Sequence, residues 1–309
     1  MGRNGKLAAQ IPRREKRLQE TFELEVVETT NALKPADYIA KNPKARADDL
    51  MEAFSDKSIK AVISNIGGED SIRTLPYTDL SVIKANPKIF LGFSDTTVTH
   101  FACYKAGLTS FYGTSLLIGF AENGGMHQYQ IDDIKRTLFS ATPIGQVLPN
   151  ESGWTSERLD WNEIELQQVK RKLNDSRGWN YLQGIGLVQG RLIGGCVEVL
   201  EFVKGTGFWL SSTEWQDAIM FLETSEEMMK PVYFRRILRN YAAQGIFQKI
   251  NGLIVARPYE NKFTDDYNGI LLEVIRDELK RHVTYTMTYI FCILYKNCYD
   301  NVQGYFNSN

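Results

Sequence analysis

Apolar and polar positions follow two different periods along the first third of the chain. Short apolar or β-branched runs predict strands at residues 23–28, 58–66 and 88–92. Apolar positions at helical spacing predict helices at residues 44–54 and 96–107. Because strands that alternate with helices form βαβ units, we expect an α/β fold here, doubly wound around a mostly parallel sheet.

The pattern changes at about residue 149. Residues 149–183 are polar and charged, carry three tryptophans and have a weak period, so we interpret them as a linker and a surface loop. Beyond them the pattern predicts β structure interrupted by glycines at residues 184–195. It also predicts strands at residues 218–223 and 252–256, and a helix at residues 229–245 between them. The sequence therefore predicts an N-terminal α/β domain at residues 1–148 and a smaller, β-rich domain at residues 184–309.

Composition narrows the class of protein. A length of 309 residues suits two domains, and 36 Lys and Arg against 37 Asp and Glu argue against a nucleic acid or an anionic membrane as partner. The basic start lacks the apolar stretch of a signal peptide, so the cytoplasm is the expected compartment. The four cysteines show no paired spacing, which predicts neither a metal site nor a disulfide framework.

The turn Gly92-Phe93-Ser94-Asp95-Thr96 is the sharpest candidate for chemistry. A serine between a buried strand and a helix resembles a nucleophile elbow, in which the helix N-terminus faces a developing oxyanion. Thr96 stands where the usual motif has its second glycine. The alternative is that Ser94 or Asp95 only caps the helix.

Two other strand ends carry candidate groups. Gly67-Gly68 lets a backbone approach a ligand and offers N–H groups to an oxyanion, or is an ordinary turn. It matches neither phosphate-loop motif, so no nucleotide cofactor is expected. Glu223 ends the apolar run AIMFL and is either an acid that orients a histidine or the first polar residue after a core strand.

Histidines are scarce. His100 lies six residues beyond Ser94, in the predicted helix that follows the turn, and cannot reach Ser94, so we interpret it as structural. His127 lies in a loop, and His282 lies in a terminal segment of different character.

Further motifs occur in the order of a known family. They are IGGEDSIR at 66–73, LPY at 75–77, NPKIF at 86–90, GFSDTT at 92–97, FYG at 111–113, GRLIGGC at 190–196 and FLETSEE at 221–227. Together they resemble the LD-carboxypeptidases, which include muramoyltetrapeptide carboxypeptidases and microcin C immunity carboxypeptidases. The similarity covers roughly residues 12 to 280.

The resemblance implies a glutamine-amidotransferase-like N-terminal domain, a swivelling C-terminal domain and a homodimer. The family hydrolyses an amide next to a free carboxylate with serine, glutamate and histidine in that chain order. By resemblance Ser94 is the nucleophile and Glu223 the triad acid, and backbone N–H groups at Gly68 and Asp95 form the oxyanion hole. Trp179 is expected to line a site for a small peptide or a peptidyl-nucleotide, with no cofactor or metal.

Two departures from the family affect the expected function. The family begins with a strand, whereas this chain begins near the first helix, at residues 11–22. From His282 onward the sequence lacks the Gly-His segment that delivers the catalytic histidine, a change typical of a shifted reading frame. The sequence therefore predicts either a cytoplasmic serine carboxypeptidase, with His282 as the candidate replacement base, or a catalytically impaired relative that binds ligand.

Overall fold

The structure is a computed structural model that describes residues 11–176, 178–184 and 187–280, and the strands at 284–288, 295–296 and 302–304. The described residues separate into two compact units. The first takes in those within 1–144, 157–172 and 292–296, and the second takes in those within 145–156, 173–291 and 297–309. The segment expected to be a linker thus contributes to both units.

The first unit is built on parallel strands. Helices and strands are numbered along the whole chain, and those of this unit are α1 (Ile11–Phe22), α2 (Ala36–Lys41), α3 (Pro43–Ser55), β1 (Ala61–Ile63), α4 (Leu80–Ala85), β2 (Ile89–Gly92), α5 (Thr97–Lys105), β3 (Phe111–Tyr112), α6 (Gln128–Leu138) and β10 (Tyr295–Lys296). The sheet order is β1-β2-β3-β10, with β1, β2 and β3 parallel and β10 antiparallel to β3. The carboxyl ends of β1 and β2 therefore open at the same edge, where α/β folds place their sites.

Apolar side chains of α1 close one part of the core of this unit. Leu18 and Phe22 pack into a buried cluster with Leu91 of β2 and Phe111 of β3. The ring of Phe22 meets that of Phe120 edge-on, with 5.7 Å between centroids. The helix at residues 11–22 thus has the spacing of apolar positions that a core-facing helix requires.

The second unit has its own parallel sheet. Its elements are β4 (Asn180–Gln183), β5 (Val188–Gly190), β6 (Leu192–Cys196), α7 (Val197–Val203), β7 (Ile219–Glu223), α8 (Pro231–Ala243), β8 (Gly252–Ala256), α9 (Thr264–Leu271), a π-helical turn (Leu272–Glu278), β9 (Thr284–Thr288) and β11 (Val302–Gly304). The sheet order is β4-β9-β8-β7-β6, in which β6 to β9 are parallel and β4 is antiparallel to β9. β5 pairs with β11 in a separate antiparallel ladder.

The central strands of the second unit are buried along almost their whole length. Their apolar runs lack the polar alternation of a strand with one wet face, as expected for parallel strands covered on both sides. α8 begins with proline at its first turn, where no intrahelical N–H partner is lost. The predicted α/β class with two domains is confirmed, and the second domain contains more helix than the term β-rich suggests.

One predicted strand is wrong. Residues 23–28 form no ladder with another strand of the described chain, and Glu23 has a left-handed backbone with φ of 57°. Leu24 and Val26 nevertheless pack against the buried cluster of the first unit. The alternating pattern therefore reflects an unpaired segment with one half-buried face, which periodicity alone does not distinguish from a paired strand.

No helix in the part of the chain that the structure describes has the length and apolar character needed to cross a membrane.

Gly194 makes the pairing of β6 with β7 testable. A Cβ on Gly194 would overlap the backbone of Phe221, including its carbonyl oxygen. We predict that Gly194→Ala lowers the free energy of unfolding by about 3 kcal/mol, the upper part of the usual range for overpacking. Urea denaturation followed by circular dichroism measures this change.

Gly205→Ala is the matched control, because nothing lies within 4 Å of a Cβ at Gly205 and its φ is not left-handed. Equal stability of the two variants would contradict the described register.

Candidate functional site

Ser94 lies on a tight turn between β2 and α5. β2 ends at Gly92, and a 3-10 turn from Ser94 to Thr96 leads directly into α5. Ser94 has φ of 59°, a left-handed backbone that is uncommon for a residue with a Cβ. The strand, strained turn and helix are the arrangement expected of a nucleophile elbow.

Two side-chain hydroxyls hydrogen-bond the backbone of Ser94. Its N–H donates to the hydroxyl of Tyr112 at 2.9 Å, and its carbonyl accepts from the hydroxyl of Thr97 at 2.7 Å. Tyr112 is 2% exposed and lies on β3, where it is in register with Gly92. Sequence reasoning missed this role of Tyr112. The parallel pairing of β2 with β3 is the signal that places its ring beside the turn.

Gly67 and Gly68 lie directly against this turn. A Cβ on Gly67 would be 3.0 Å from both Cβ and Oγ of Ser94, and a Cβ on Gly68 would be 2.8 Å from Oδ2 of Asp95. Side chains here would displace the serine or the aspartate, so the turn requires glycine for close approach. The structure thus brings Gly68, Ser94 and Asp95 together at the start of α5, where the first N–H groups lack intrahelical partners.

The carboxylate of Asp95 does not cap its own helix. It is 0% exposed and accepts from the backbone N–H of Ser71 at 3.0 Å and from the Ser71 hydroxyl at 2.5 Å. Neither the turn at Ser94–Thr96 nor α5 has a side-chain cap hydrogen bond, so the capping alternative is not what the structure shows. Burial raises the pKa of Asp95, while Ser71 and Arg46 oppose that rise.

His100 is a core residue, as its distance from Ser94 along the helix predicts. Nε2 lies 2.9 Å from the Gly92 carbonyl, which only accepts, so Nε2 carries the proton and Nδ1 accepts from Ser110 at 2.8 Å. Burial lowers the pKa of His100 to about 4. The ring is therefore neutral at pH 7 and has both nitrogens engaged.

The other two histidines differ in what the structure describes. His127 precedes α6, with which it forms a capping box through Gln130. Burial, followed by the charges of Arg171 and Lys170, lowers the pKa of His127. His282 lies outside the described residues.

Glu223 belongs to the second unit and is the last residue of β7. It is half-buried and in register with Cys196, the last residue of the parallel neighbour β6. Burial raises the pKa of the Cys196 thiol well above its ordinary value, and the charges of Glu223 and Glu198 act in the same direction. The Glu223 carboxylate therefore lies at the carboxyl end of a buried parallel strand, as the sequence predicts.

Glu198 organises the segment that follows Glu223. Its carboxylate accepts from the Ser225 hydroxyl at 2.9 Å and from the Ser225 backbone N–H at 3.1 Å, and the Cys196 thiol lies 3.3 Å from Oε2. Sequence reasoning missed Glu198, because its position in the first turn of α7 gives no local sign of a partner 27 residues away.

Trp179 also belongs to the second unit. It is half-buried and directly precedes β4. Within the described residues, no group of three or more His, Cys, Asp or Glu side chains is arranged to hold a metal ion.

The same architecture occurs in a known family. Residues 2–113 match the LD-carboxypeptidase N-terminal domain, and residues 189–291 match the LD-carboxypeptidase C-terminal domain. The chain belongs to the LD-carboxypeptidase family, as the motifs predict.

Individual relatives agree with this assignment. The chain is 29% identical over 220 residues to the microcin C7 self-immunity protein MccF of Escherichia coli, a match that covers 69% of this chain and 60% of that protein. An MccF-like protein of Streptococcus pneumoniae, solved in complex with AMP, superposes with a TM-score of 0.85 at 30% identity and covers 97% of this chain and 90% of the other. An MccF-like protein of Bacillus anthracis gives 0.79 at 26% identity, covering 91% and 82%.

Because His100 is buried, we expect the folded protein to lose stability in acid. Its pKa is about 4 in the folded chain against an ordinary 6.5, so the unfolded chain binds the extra proton between these values. This histidine therefore stabilises the fold fully above pH 6.5 and progressively less as the pH falls to 4, by on the order of 3 kcal/mol. Urea denaturation across this pH range measures the loss.

His100→Gln keeps a donor and an acceptor but has no titrating ring. We expect this variant to lack that part of the pH dependence, whereas His127→Gln should retain it. Equal slopes in the wild type and His100→Gln would contradict the buried, neutral assignment.

Proposed function

We propose that the chain is a serine-type carboxypeptidase that cleaves an amide next to a free carboxylate. The strongest support is the left-handed backbone of Ser94 just beyond the end of β2, with Gly67 packed against the Ser94 Oγ. A serine so placed presents its hydroxyl to a substrate carbonyl while the N–H groups of the following helix face the oxygen of that carbonyl. Membership in the LD-carboxypeptidase family supports the same chemistry.

The proposed reaction has two steps. In the first, Ser94 Oγ attacks the scissile carbonyl, the hydroxyl proton passes to a base, and the amide C–N bond breaks as that proton moves to the leaving amine. N–H groups at Gly68 and Asp95 stabilise the negative oxygen of the tetrahedral intermediate. In the second step, water adds to the acyl ester, and Ser94 regains its proton as the acid is released.

Glu223 is proposed to orient the histidine base by accepting its second ring N–H. His100 is unsuited to the role, since both of its ring nitrogens are bound in the core and its pKa is about 4. His127 has a place at the start of α6. We propose His282, the candidate replacement base in the sequence, for this role.

The proposed substrates are small and carry a terminal carboxylate or a nucleotide. Similarity to MccF and to an MccF-like protein that binds AMP favours peptidyl-nucleotides, while the family resemblance also includes murein-type peptides. Trp179, an aromatic residue at the start of β4, is proposed to pack on a planar part of the substrate.

We propose the cytoplasm as the compartment and a homodimer as the assembly.

A ligand-binding function without turnover is the second candidate. It is favoured by the placement of His100 and His127, whose contacts in the described structure are with the core and with the start of α6. A chain without a base would keep the oxyanion site and the substrate contacts but lose most of the rate.

The central prediction concerns turnover. Wild-type protein should release D-alanine from an L,D-linked tetrapeptide or the amino acid from an aminoacyl sulfamoyl adenosine. Ser94→Ala and Glu223→Gln should each reduce kcat by at least about 10³-fold, because the groups of a triad act as a unit. Liquid chromatography with mass spectrometry quantifies both products.

Ser55→Ala and Glu52→Gln are the matched controls, since both side chains are exposed on α3. Binding of the uncleaved ligand without turnover would favour the second candidate. Turnover that survives Ser94→Ala would contradict the proposed nucleophile.

Trp179 is expected to contribute to substrate affinity. Trp179→Ala should raise the Kd of AMP about 10-fold, because loss of stacking on a base costs roughly 1–3 kcal/mol. Trp179→Phe keeps an aromatic face and should raise it much less. Isothermal titration measures both values, and unchanged affinity in Trp179→Ala would exclude this tryptophan from the binding site.

A further inference from the structure

Arg46 reaches from α3 to the loop that follows β1. Its guanidinium forms an ion pair with Asp70, and Nη2 donates to the Ser71 hydroxyl at 2.7 Å. The same Nη2 lies 4.0 Å from Oδ2 of Asp95. A single cation therefore faces two carboxylates from two different segments of the chain.

Ser71 links the arginine to the buried aspartate. Its hydroxyl accepts from Arg46 and donates to Asp95, and its backbone N–H donates to the same carboxylate. Hydrogen bonds that end on ionised groups are roughly twice as strong as neutral ones. The three residues thus form one continuous chain of donors and acceptors with a charge at each end.

This hydrogen-bond network joins the two segments that carry the proposed oxyanion donors. Ser71 lies three residues beyond Gly68, and Asp95 directly follows Ser94. The Asp95 carboxylate also lies next to Gly68, where an added Cβ would approach it to 2.8 Å. A shift of the loop would therefore break the contacts of Ser71 with Asp95.

We propose that Arg46, Ser71 and the Asp95 carboxylate are positioning residues that hold the Gly67–Ser71 loop against the Ser94 turn. They set the separation between the N–H groups of Gly68 and Asp95. The proposal rests on the proposed function, and it assigns to the Asp95 side chain a role separate from that of its backbone. These residues act through the backbone donors and do not touch the substrate.

The electrostatics of the network give it a pH signature. Burial and the charge of Asp70 raise the pKa of Asp95, and the bonds from Ser71 and the charge of Arg46 lower it. Removing the Arg46 charge leaves Asp70 as the charged neighbour of Asp95 and raises the pKa of Asp95 further. The carboxyl should then accept a proton at a higher pH and lose an acceptor for Ser71.

The experiment compares kcat, KM and the pH profile of full-length variants. Ser71→Ala and Arg46→Met should lower kcat at least 10-fold and leave KM within twofold, because oxyanion donors act on the transition state. The acid limb of kcat should move to higher pH in Arg46→Met, and Arg46→Lys should restore it in part. Arg73→Met is the control, since Arg73 is exposed in the 3-10 turn Ser71–Tyr77 that follows the loop and bonds Asp70 and the Ala40 carbonyl.

Amide hydrogen exchange at residues 67–71 separates this proposal from the proposed function. Exchange there should become at least 10-fold faster in Ser71→Ala and Arg46→Met than in the wild type and Arg73→Met. If the wild type shows no turnover, the proposed function fails, and amide exchange alone tests the positioning role. Faster exchange at residues 67–71 in the variants then supports the network. Unchanged exchange, or a change in KM alone, overturns it.

Discussion

The backbone of Ser94 is the constraint on which the first unit depends. A residue with a Cβ in a left-handed conformation costs roughly 1–3 kcal/mol, and it persists only where its surroundings hold it. The hydroxyl of Tyr112 takes the N–H, and Thr97 donates to the carbonyl. At about 1 kcal/mol each, these two bonds offset much of the strain.

The same constraint explains residues at some distance along the chain. Gly67 and Gly68 have no side chains because the serine and aspartate occupy the space where a Cβ would lie. Tyr112 reaches the turn because β3 pairs in parallel with β2.

In the second unit, the parallel pairing of β6 with β7 places Cys196 beside Glu223, and Glu198 then fixes the turn at Ser225.

Local sequence was sufficient for several central strands and for the turn at Ser94. Apolar runs and glycine positions predict β2, β7 and β8 nearly to the residue, because a buried parallel strand has no polar alternation to obscure its ends. The supporting groups were not predictable in this way. Arg46, Ser71 and Tyr112 act through hydrogen bonds between residues as many as 25 positions apart, which no local spacing reveals.

The segment at residues 23–28 shows the opposite limit. Its alternating side chains leave Leu24 and Val26 half-buried against the core, yet the described chain offers no ladder for it. Periodicity reports which face is buried and does not report whether the backbone is paired.

Direct labelling of the serine tests the central claim. The protein is incubated with a fluorophosphonate, which reacts preferentially with an activated serine hydroxyl, and the adduct is mapped by peptide mass spectrometry. We expect one adduct, on Ser94, that disappears in Glu223→Gln and is not affected by Glu52→Gln. An adduct on a different residue, or no adduct on Ser94 in a protein that cleaves its substrate, would contradict it.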